Sequence, residues 1–326
     1  FVRRCREQLE ALLPLLPPGA VSIVGAPDAT DGGVANAAFV VHEGRIAGIY
    51  HKMLLPNYGV FDEKRVFREG DRPLILDVSC GDGRLRAAVH ICEDSWLPDR
   101  PSCGRLRGTG VDAVLNLSAS PFHHRKIDER QRVLGRVARS LGATLCYANL
   151  VGGQDELVFD GASLALNPDG SLRARAKPFE EDILLVPLEA SSPPGPAPDG
   201  ADRVECALDP APASTPTAPR IETVPEECEE IYRALVTGLR DYVNKNGFPG
   251  AIVTVSGGID SALVAAVAVD ALGADRVSGI GMPSRYSSDE TQSDAQQLAE
   301  SLGIEWATMP IEPVYTAFLE SLAPLW

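Results

Sequence analysis

The chain has 326 residues, of which 44% are hydrophobic, and a formal net charge of −15 at pH 7. The length favours two domains, and the acidic balance excludes a nucleic-acid-binding protein, which needs a basic face. Seven cysteines at irregular spacings, without a Cys-x-x-Cys pair, argue against a disulfide framework or a zinc site. We therefore expect a cytoplasmic protein in a reducing compartment, with neither a membrane span nor a signal peptide.

Residues 1–189 alternate between short apolar runs and helical periodicity. Strands are predicted at 21–25, 37–42, 45–51, 85–92, 113–117, 144–149 and 161–167. Residues 125–141 carry apolar side chains at helical spacing, and Gly142 follows them as a stop signal. This rhythm predicts a layered α/β sandwich.

The composition changes after residue 189. Residues 190–222 are rich in proline, alanine, glycine and serine, a composition that buries too little apolar surface to fold by itself. We predict a linker there and a second domain over 223–326. That domain is predicted to contain a helix from Glu226 to about Gly247, then a strand, helix, strand and helix at 251–255, 259–272, 276–281 and 287–302. This βαβα order is the start of a doubly wound parallel sheet.

Cys92 is the first candidate for chemistry, because it stands where a predicted strand ends. A thiol attacks only as a thiolate and needs a cation or base nearby; Lys52, which also ends a strand, is the candidate cation. Position alone leaves this pairing weak, since a strand-end cysteine is ordinarily a small core residue. His90, inside the same strand, is interpreted as a core histidine.

Four segments around these residues carry a family resemblance. They are HKMLLPNYGVFDEKRVFREG (51–70), ICEDSW (91–96), NLSASPFHHRK (116–126) and YANLVGGQDELVFDGAS (147–163). They resemble the nitrilase superfamily and, more narrowly, the glutaminase domain of NAD⁺ synthetases. The resemblance implies a nitrilase-like α-β-β-α sandwich.

It also implies roles for individual residues. Cys92 would attack the carboxamide of glutamine, and Lys52 would support the thiolate and the oxyanion. Glu63 would be the second carboxylate of the superfamily, or equally a surface residue beside Lys64 and Arg65. The glutamine pocket would be lined by Tyr58, Glu93, Trp96, Ser120 and Lys126.

The loop SGGIDS (256–261) joins a predicted strand to a predicted helix. Its two glycines allow a phosphate to approach the free amides at the helix N-terminus, although a Ser-Gly-Gly turn is also an ordinary helix cap. The loop resembles the pyrophosphatase loop of ATP-dependent amidotransferases, and residues 279–304 resemble NAD⁺ synthetases. ATP would then contact Ser256, Gly257, Gly258, Ile259, Asp260, Ser261 and Met282. Asp260 is also the candidate Mg²⁺ ligand.

Together the resemblances imply a glutamine-hydrolysing carbon–nitrogen ligase. It would amidate deamido-NAD to NAD⁺ through an adenylated intermediate, with ATP and Mg²⁺ and without a prosthetic group. Its partners would be glutamine, ATP and deamido-NAD, neither nucleic acid nor membrane, and it would form a homo-oligomer. The superfamily's general base, a glutamate in a Pro-Glu-Leu-type motif, is absent from residues 1–326. We therefore expect a chain truncated at both ends and, by itself, a poor glutaminase.

Three alternatives stay open. The chain could belong to another amidotransferase with the same loop, but the nitrilase-like motifs count against this. It could be a stand-alone nitrilase-type amidase, but SGGIDS and the 279–304 similarity count against that. A non-catalytic assembly module is the third, and it is favoured only if the complete gene also lacks the glutamate.

Overall fold

The computed structural model describes residues 1–189, 200–209 and 219–325. The chain divides into two units, the first made of Phe1–Val151 and Asp160–Val224. The second contains Gly152–Phe159 and the residues from Pro225 onward. None of the helices in the described ranges is long and apolar enough to cross a membrane.

The elements of the first 175 residues follow the predicted alternation. In chain order they are α1 (Val2–Leu12), β1 (Ser22–Thr30), β2 (Gly33–His42), β3 (Arg45–His51), α2 (Glu63–Val66), β4 (Leu74–Cys80), β5 (Gly83–Ile91), α3 (Pro101–Gly104), β6 (Ala113–Ser118), α4 (Lys126–Leu141), β7 (Thr144–Asn149), β8 (Val151–Gln154), β9 (Leu157–Asp160), β10 (Leu164–Leu166) and β11 (Leu172–Arg175). Gly142 ends α4 in the left-handed conformation, as its position in the sequence predicts.

The remaining elements begin inside the predicted linker. They are β12 (Asp202–Leu208), α5 (Glu227–Lys245), β13 (Ala251–Thr254), α6 (Ile259–Leu272), β14 (Val277–Gly281), α7 (Asp289–Leu302), β15 (Glu305–Thr308) and α8 (Glu312–Leu322). Helix α7 begins at Asp289 rather than at the predicted residue 287, and the Ser288 side chain caps it by accepting a hydrogen bond from the Thr291 amide.

Two sheets form the centre of the first unit. One has the order β1-β2-β3, and the other has the order β11-β10-β7-β6-β5-β4-β12. Strands β5, β6 and β7 are parallel, so their carboxyl ends lie at one edge. The residues that follow β5 and β6 therefore lie next to one another at this edge.

The alternating side chains of β2 explain how the layers stack. Ala38 and Val40 pack towards the seven-stranded sheet, whereas Ala37 and Phe39 pack against Leu9 of α1. The opposite face of the seven-stranded sheet is covered by residues of α3 and α4. Burial of a side chain as large as Phe39 contributes roughly 1.5–3 kcal/mol. The layer order is the predicted α-β-β-α sandwich.

Strand β12 differs from the prediction of a linker over 190–222. It pairs with β4 in parallel along its whole length. Val204 and Cys206 are buried, whereas Arg203 and Glu205 between them are exposed, which is the alternation of an edge strand. The overall composition of residues 190–222 does not reveal a strand of seven residues, because the proline-rich segments on either side dominate it. Residues 190–199 and 210–218 of the predicted linker lie outside the described residues.

The second unit contains the parallel sheet β13-β14-β15. Helices α5, α6 and α7 contribute the apolar side chains that bury it, among them Val243, Ala265, Ala268 and Ala295. The predicted βαβα order is present, and β15 and α8 follow it. The carboxyl ends of these strands position the Ser-Gly-Gly loop.

Candidate active site

Cys92 lies directly after β5 and begins the 3-10 turn Cys92–Ser95. It is buried, and its φ of +42° is in the left-handed region. That conformation costs a residue with a side chain about 1–2 kcal/mol. Its neighbours must therefore hold the cysteine in place.

Lys52 lies directly after β3, and its side chain is only 1% exposed. Its Nζ atom donates to both carboxylate oxygens of Glu63, at 2.6 Å and 2.8 Å. Lys64 and Arg65 form ion pairs with other carboxylates. Glu63 is therefore a partner of the buried Lys52 rather than of Lys64 or Arg65.

The surroundings of the Cys92 thiol act on its pKa in opposite directions. Burial raises that pKa, while the charge of Lys52 and a hydrogen bond from Ser118 lower it, and Glu93 and Glu63 raise it. The sum is a pKa above the ordinary value. Thiolate chemistry at Cys92 therefore needs a group that accepts its proton.

The residues predicted to bind glutamine form two separate pairs. The Tyr58 hydroxyl donates to both oxygens of Glu93, at 3.1 Å and 3.0 Å. The Nζ atom of Lys126 lies 4.2 Å from the centre of the Trp96 ring and 3.1 Å from Oε2 of Glu129. The Tyr58–Glu93 pair thus presents a carboxylate, and the Trp96–Lys126 pair presents an ammonium group. These charges are opposite to those of the ammonium and carboxylate groups of a free amino acid.

Ser120 is buried, and its amide donates to Oδ1 of Asn149 at 3.0 Å. Two residues earlier on the chain, the Ser118 hydroxyl lies 2.5 Å from that of Tyr147. Sequence reasoning missed Ser118, Tyr147 and Asn149. The signal that could have found Ser118 was its place in the NLSAS motif, two residues before Ser120.

A cavity of about 500 Å³ lies beside part of this site. Tyr58 and Glu93 line it, together with Met53, Arg100 and Arg105. Trp96, Ser120 and Lys126 are not among its lining residues. The cavity therefore brings together two of the five residues predicted for the glutamine pocket.

Asp94 is a further buried residue to which the sequence argument gave no role. Its carboxylate accepts a hydrogen bond from the Tyr50 hydroxyl at 2.9 Å. It also accepts from three backbone amides, those of Met53, Leu54 and Ile91. Asp94 therefore ties the chain next to Lys52 to the strand end that carries Cys92.

The Ser-Gly-Gly loop of the second unit is fixed by hydrogen bonds between its own residues. The Gly258 amide donates to Oγ of Ser256, and the Ser261 hydroxyl donates to the Gly258 carbonyl at 2.9 Å. Gly257 has a φ of +85°, and an added Cβ would lie 2.2 Å from the Thr291 carbonyl oxygen. Only glycine fits there, because the loop backbone packs directly against the backbone of α7.

A cavity of about 460 Å³ opens beside this loop. Ser256 and Met282, both predicted to contact ATP, line it with Thr254, Trp306 and Thr308. Gly258, Ile259, Asp260 and Ser261 lie at the start of α6 instead. Across the described ranges, no cluster of three or more His, Cys, Asp or Glu side chains could hold a metal ion.

Comparison with known proteins identifies two parts of the chain. A family model described as carbon-nitrogen hydrolase matches residues 19–192, more than half of the chain. A model described as NAD synthase matches residues 231–324.

Curated relatives have both parts. The chain is 41% identical over 324 residues to the glutamine-dependent NAD(+) synthetase of Thermotoga maritima, and the aligned region covers 93% of this chain and 54% of that protein. It is 44% identical over 299 residues to the enzyme of the same name from Aquifex aeolicus, and here the aligned region covers 87% of this chain and 51% of that protein. The chain thus spans about half the length of these relatives.

Solved structures give the same result. The glutamine-dependent NAD+ synthetase from Acinetobacter baumannii, in complex with ADP, superposes with a TM-score of 0.82 at 33% identity, over 99% of this chain and 56% of that one. The enzyme from Cytophaga hutchinsonii, at 21% identity over 99% of this chain and 58% of that one, shares the fold with a TM-score of 0.71. The chain therefore belongs to the carbon-nitrogen hydrolase family, with an NAD synthase domain following the hydrolase domain.

Proposed function

We propose that this chain is part of a glutamine-hydrolysing NAD⁺ synthetase. Glutamine is cleaved at Cys92, and the ammonia amidates deamido-NAD whose carboxylate has been adenylated by ATP. The observation that carries the proposal is the buried Lys52–Glu63 pair, whose charges act on the Cys92 thiol. A core cysteine without chemistry has no need of a desolvated ammonium group beside it.

The cleavage step follows from this arrangement. The sulfur of Cys92 attacks the carboxamide carbon, and the Lys52 ammonium group stabilises the negative charge that develops on oxygen. The carbon–nitrogen bond breaks, ammonia leaves with the proton taken from sulfur, and the resulting thioester is hydrolysed to glutamate by water. Proton transfer requires a general base, a role that the family resemblance assigns to the Pro-Glu-Leu glutamate.

The charges on the two pairs of pocket residues suit free glutamine. Glu93, oriented by the Tyr58 hydroxyl, suits the α-ammonium group of the substrate. Lys126, held over the Trp96 ring, suits its α-carboxylate. Ser120 lies buried on the segment between them. A side chain that carries only a neutral amide needs no such pair of opposite charges.

ATP binding is supported by the loop Ser256–Ser261 and the cavity beside it. Free amides at the start of α6 suit the phosphates, and the apolar side chain of Met282 suits the base. Mg²⁺ commonly takes one or two protein carboxylates and completes its coordination with phosphates and water. A single exposed carboxylate at Asp260 fits an ion that arrives with the nucleotide.

Under this proposal residues 1–189 act as the glutaminase and 223–326 as the nucleotide-binding domain. Strand β12 belongs to the first of these, because it extends the seven-stranded sheet. Assembly as a homo-oligomer and a cytoplasmic location remain predictions.

The test uses the full-length protein. NAD⁺ formation from deamido-NAD and ATP is measured with glutamine or with ammonium as nitrogen donor, for the wild type and for Cys92→Ala. We expect the variant to lose glutamine use and to keep ammonium use. Cys146→Ala, which removes another thiol of the same sheet, serves as the control and should retain both. Amide hydrolysis by the wild type without NAD⁺ formation would instead establish the amidase alternative.

A further inference from the structure

Asn116 makes hydrogen bonds to both backbone groups of Cys92. It lies on β6 directly opposite His90 of β5, and it is 1% exposed. The Cys92 amide donates to its Oδ1 atom at 3.1 Å, and its Nδ2 atom donates to the Cys92 carbonyl at 3.2 Å. The Asn116 side chain thus supplies the two hydrogen bonds that the backbone of a neighbouring strand would otherwise make with Cys92.

These contacts matter because the backbone of Cys92 is in the left-handed region, with a φ of +42°. A left-handed residue returns to the extended region unless its surroundings hold it. The two hydrogen bonds fix the peptide groups on either side of the Cys92 α-carbon. The direction of the Cα–Cβ bond, and with it the position of the sulfur, is set by those two groups.

The amide of Asn116 is useful only in one orientation. If it were flipped, its NH₂ group would face the Cys92 N–H, and its oxygen would face the Cys92 carbonyl. The observed orientation is supported by Ser95, whose Oγ atom accepts from Nδ2 of Asn116 at 2.8 Å. Ser95 is fully buried, so its own hydroxyl hydrogen also needs an acceptor.

That acceptor is His90, whose Nδ1 atom lies 2.9 Å from Oγ of Ser95. A hydrogen bond with the backbone of Ser102 raises the pKa of the ring, but the effect of burial is larger. Burial lowers the pKa of His90 to about 4, which keeps Nδ1 free to accept at neutral pH. With Nδ1 as the acceptor, His90, Ser95 and Asn116 form a chain of hydrogen bonds that ends at the backbone of Cys92.

We propose that Asn116 is a positioning residue for the nucleophile, and that Ser95 and His90 fix the direction of its amide. The inference rests on the proposed function only in treating Cys92 as a nucleophile. A residue that merely stabilised the fold would lower the melting temperature without changing the reactivity of Cys92. Reactivity at this one thiol therefore separates the two roles.

The experiment uses the full-length protein and the substitutions Asn116→Asp and Ser95→Ala. Asn116→Asp keeps the shape but sets an oxygen against the Cys92 carbonyl. Ser95→Ala removes the group that selects the amide orientation. Asn167→Asp makes the same chemical change at an exposed site and is the control. The rate of Cys92 carbamidomethylation by iodoacetamide is followed by peptide mass spectrometry, which separates it from the other six thiols, and glutaminase kcat and KM are measured beside it.

We expect Asn116→Asp to slow alkylation of Cys92 and to lower kcat by about tenfold to a hundredfold, with KM for glutamine changed less than threefold. Ser95→Ala should have a smaller effect of the same kind, and Asn167→Asp should have none. Unchanged Cys92 alkylation in both Asn116→Asp and Ser95→Ala, whatever the melting temperatures, overturns the inference. If the wild type releases no ammonia from glutamine but the alkylation effect is present, the positioning role stands and the proposed function fails.

Discussion

The ammonium group of Lys52 and the carboxylate of Glu63 form a doubly hydrogen-bonded pair, at 2.6 Å and 2.8 Å, next to the candidate nucleophile. The lysine side chain is 1% exposed, whereas that of Glu63 is 18% exposed. The carboxylate thus separates the buried cation from solvent. Its negative charge also compensates the positive charge of the buried ammonium group.

Glu63→Gln is therefore expected to impair glutamine hydrolysis without affecting nucleotide chemistry. The amide leaves the Lys52 charge without a counter-ion, and we expect kcat with glutamine to fall by about 10²–10³. NAD⁺ formation with ammonium should be unchanged. Steady-state assays with each nitrogen donor check this, and Glu10→Gln, which disrupts an exposed pair with Arg6 on α1, is the matched control. Equal losses with both donors would contradict the assignment.

The pair Arg130–Asp160 leads to a prediction about stability. Its two hydrogen bonds are 3.0 Å and 2.9 Å long, and both side chains are fully buried. Removal of one member of such a pair leaves a buried charge without compensation, at about 3–5 kcal/mol. Asp160→Asn should lower the free energy of unfolding by this amount in urea titrations. Arg130→Met combined with Asp160→Leu should recover most of the loss, since no buried charge remains.

An exposed ion pair shows how much smaller the effect on the free energy of unfolding should be at the surface. Lys177 and Glu180 lie 3.2 Å apart with side chains about half exposed. Water screens such a pair, so Lys177→Ala should change the free energy of unfolding by less than about 1 kcal/mol. A similar loss for Lys177→Ala and Asp160→Asn would show that burial does not decide the effect.

Two buried groups near Cys92 give a prediction about pH. Burial raises the pKa of Asp94 from 3.8 to about 6 and lowers that of His90 from 6.5 to about 4. Between about pH 4 and pH 6, the folded chain keeps a proton on Asp94 that the unfolded chain has released. It also lacks a proton on His90 that the unfolded chain has gained. As the pH falls from 6.5 to 4, the contribution of Asp94 to stability therefore rises and that of His90 falls, each by roughly 3 kcal/mol.

Single substitutions separate the two contributions. Relative to the wild type, Asp94→Asn should lose stability as the pH falls from 6.5 to 4, because it lacks the group whose contribution rises. His90→Asn should gain stability relative to the wild type over the same range. Urea unfolding at half-unit intervals of pH measures both differences. Differences that do not depend on pH would show that neither pKa is shifted.

The sequence indicated the candidate reacting groups more readily than the residues that hold them in place. Cys92 and Lys52 stand in motifs of fixed spacing beside strand ends, so their positions could be read from the sequence. Asn116 also stands in a quoted motif, but its partner lies 24 residues away along the chain and is met only through the pairing of β5 with β6. His90 was interpreted as a core histidine, and its burial agrees, but its contact with the Ser95 hydroxyl depends on the turn Cys92–Ser95, which was not predicted. Strand β12 was missed because proline and alanine around it dominate the local composition.

The close approach at Gly257 gives the last prediction. Its φ of +85° and the 2.2 Å between an added Cβ and the Thr291 carbonyl mean that Gly257→Ala must shift the loop backbone against α7. Ser256 moves with it, and that residue lines the cavity proposed for ATP. We expect ATP affinity, measured by isothermal titration calorimetry on the full-length protein, to fall at least tenfold, while Cys92 alkylation is unchanged. Gly303→Ala is the control, because Gly303 also has a positive φ, +69°, but has no atom within 4 Å of an added Cβ. It should lower helix stability by about 1 kcal/mol and leave ATP binding intact, so an equal loss of affinity in both variants would trace the effect to strain in the fold rather than to the loop.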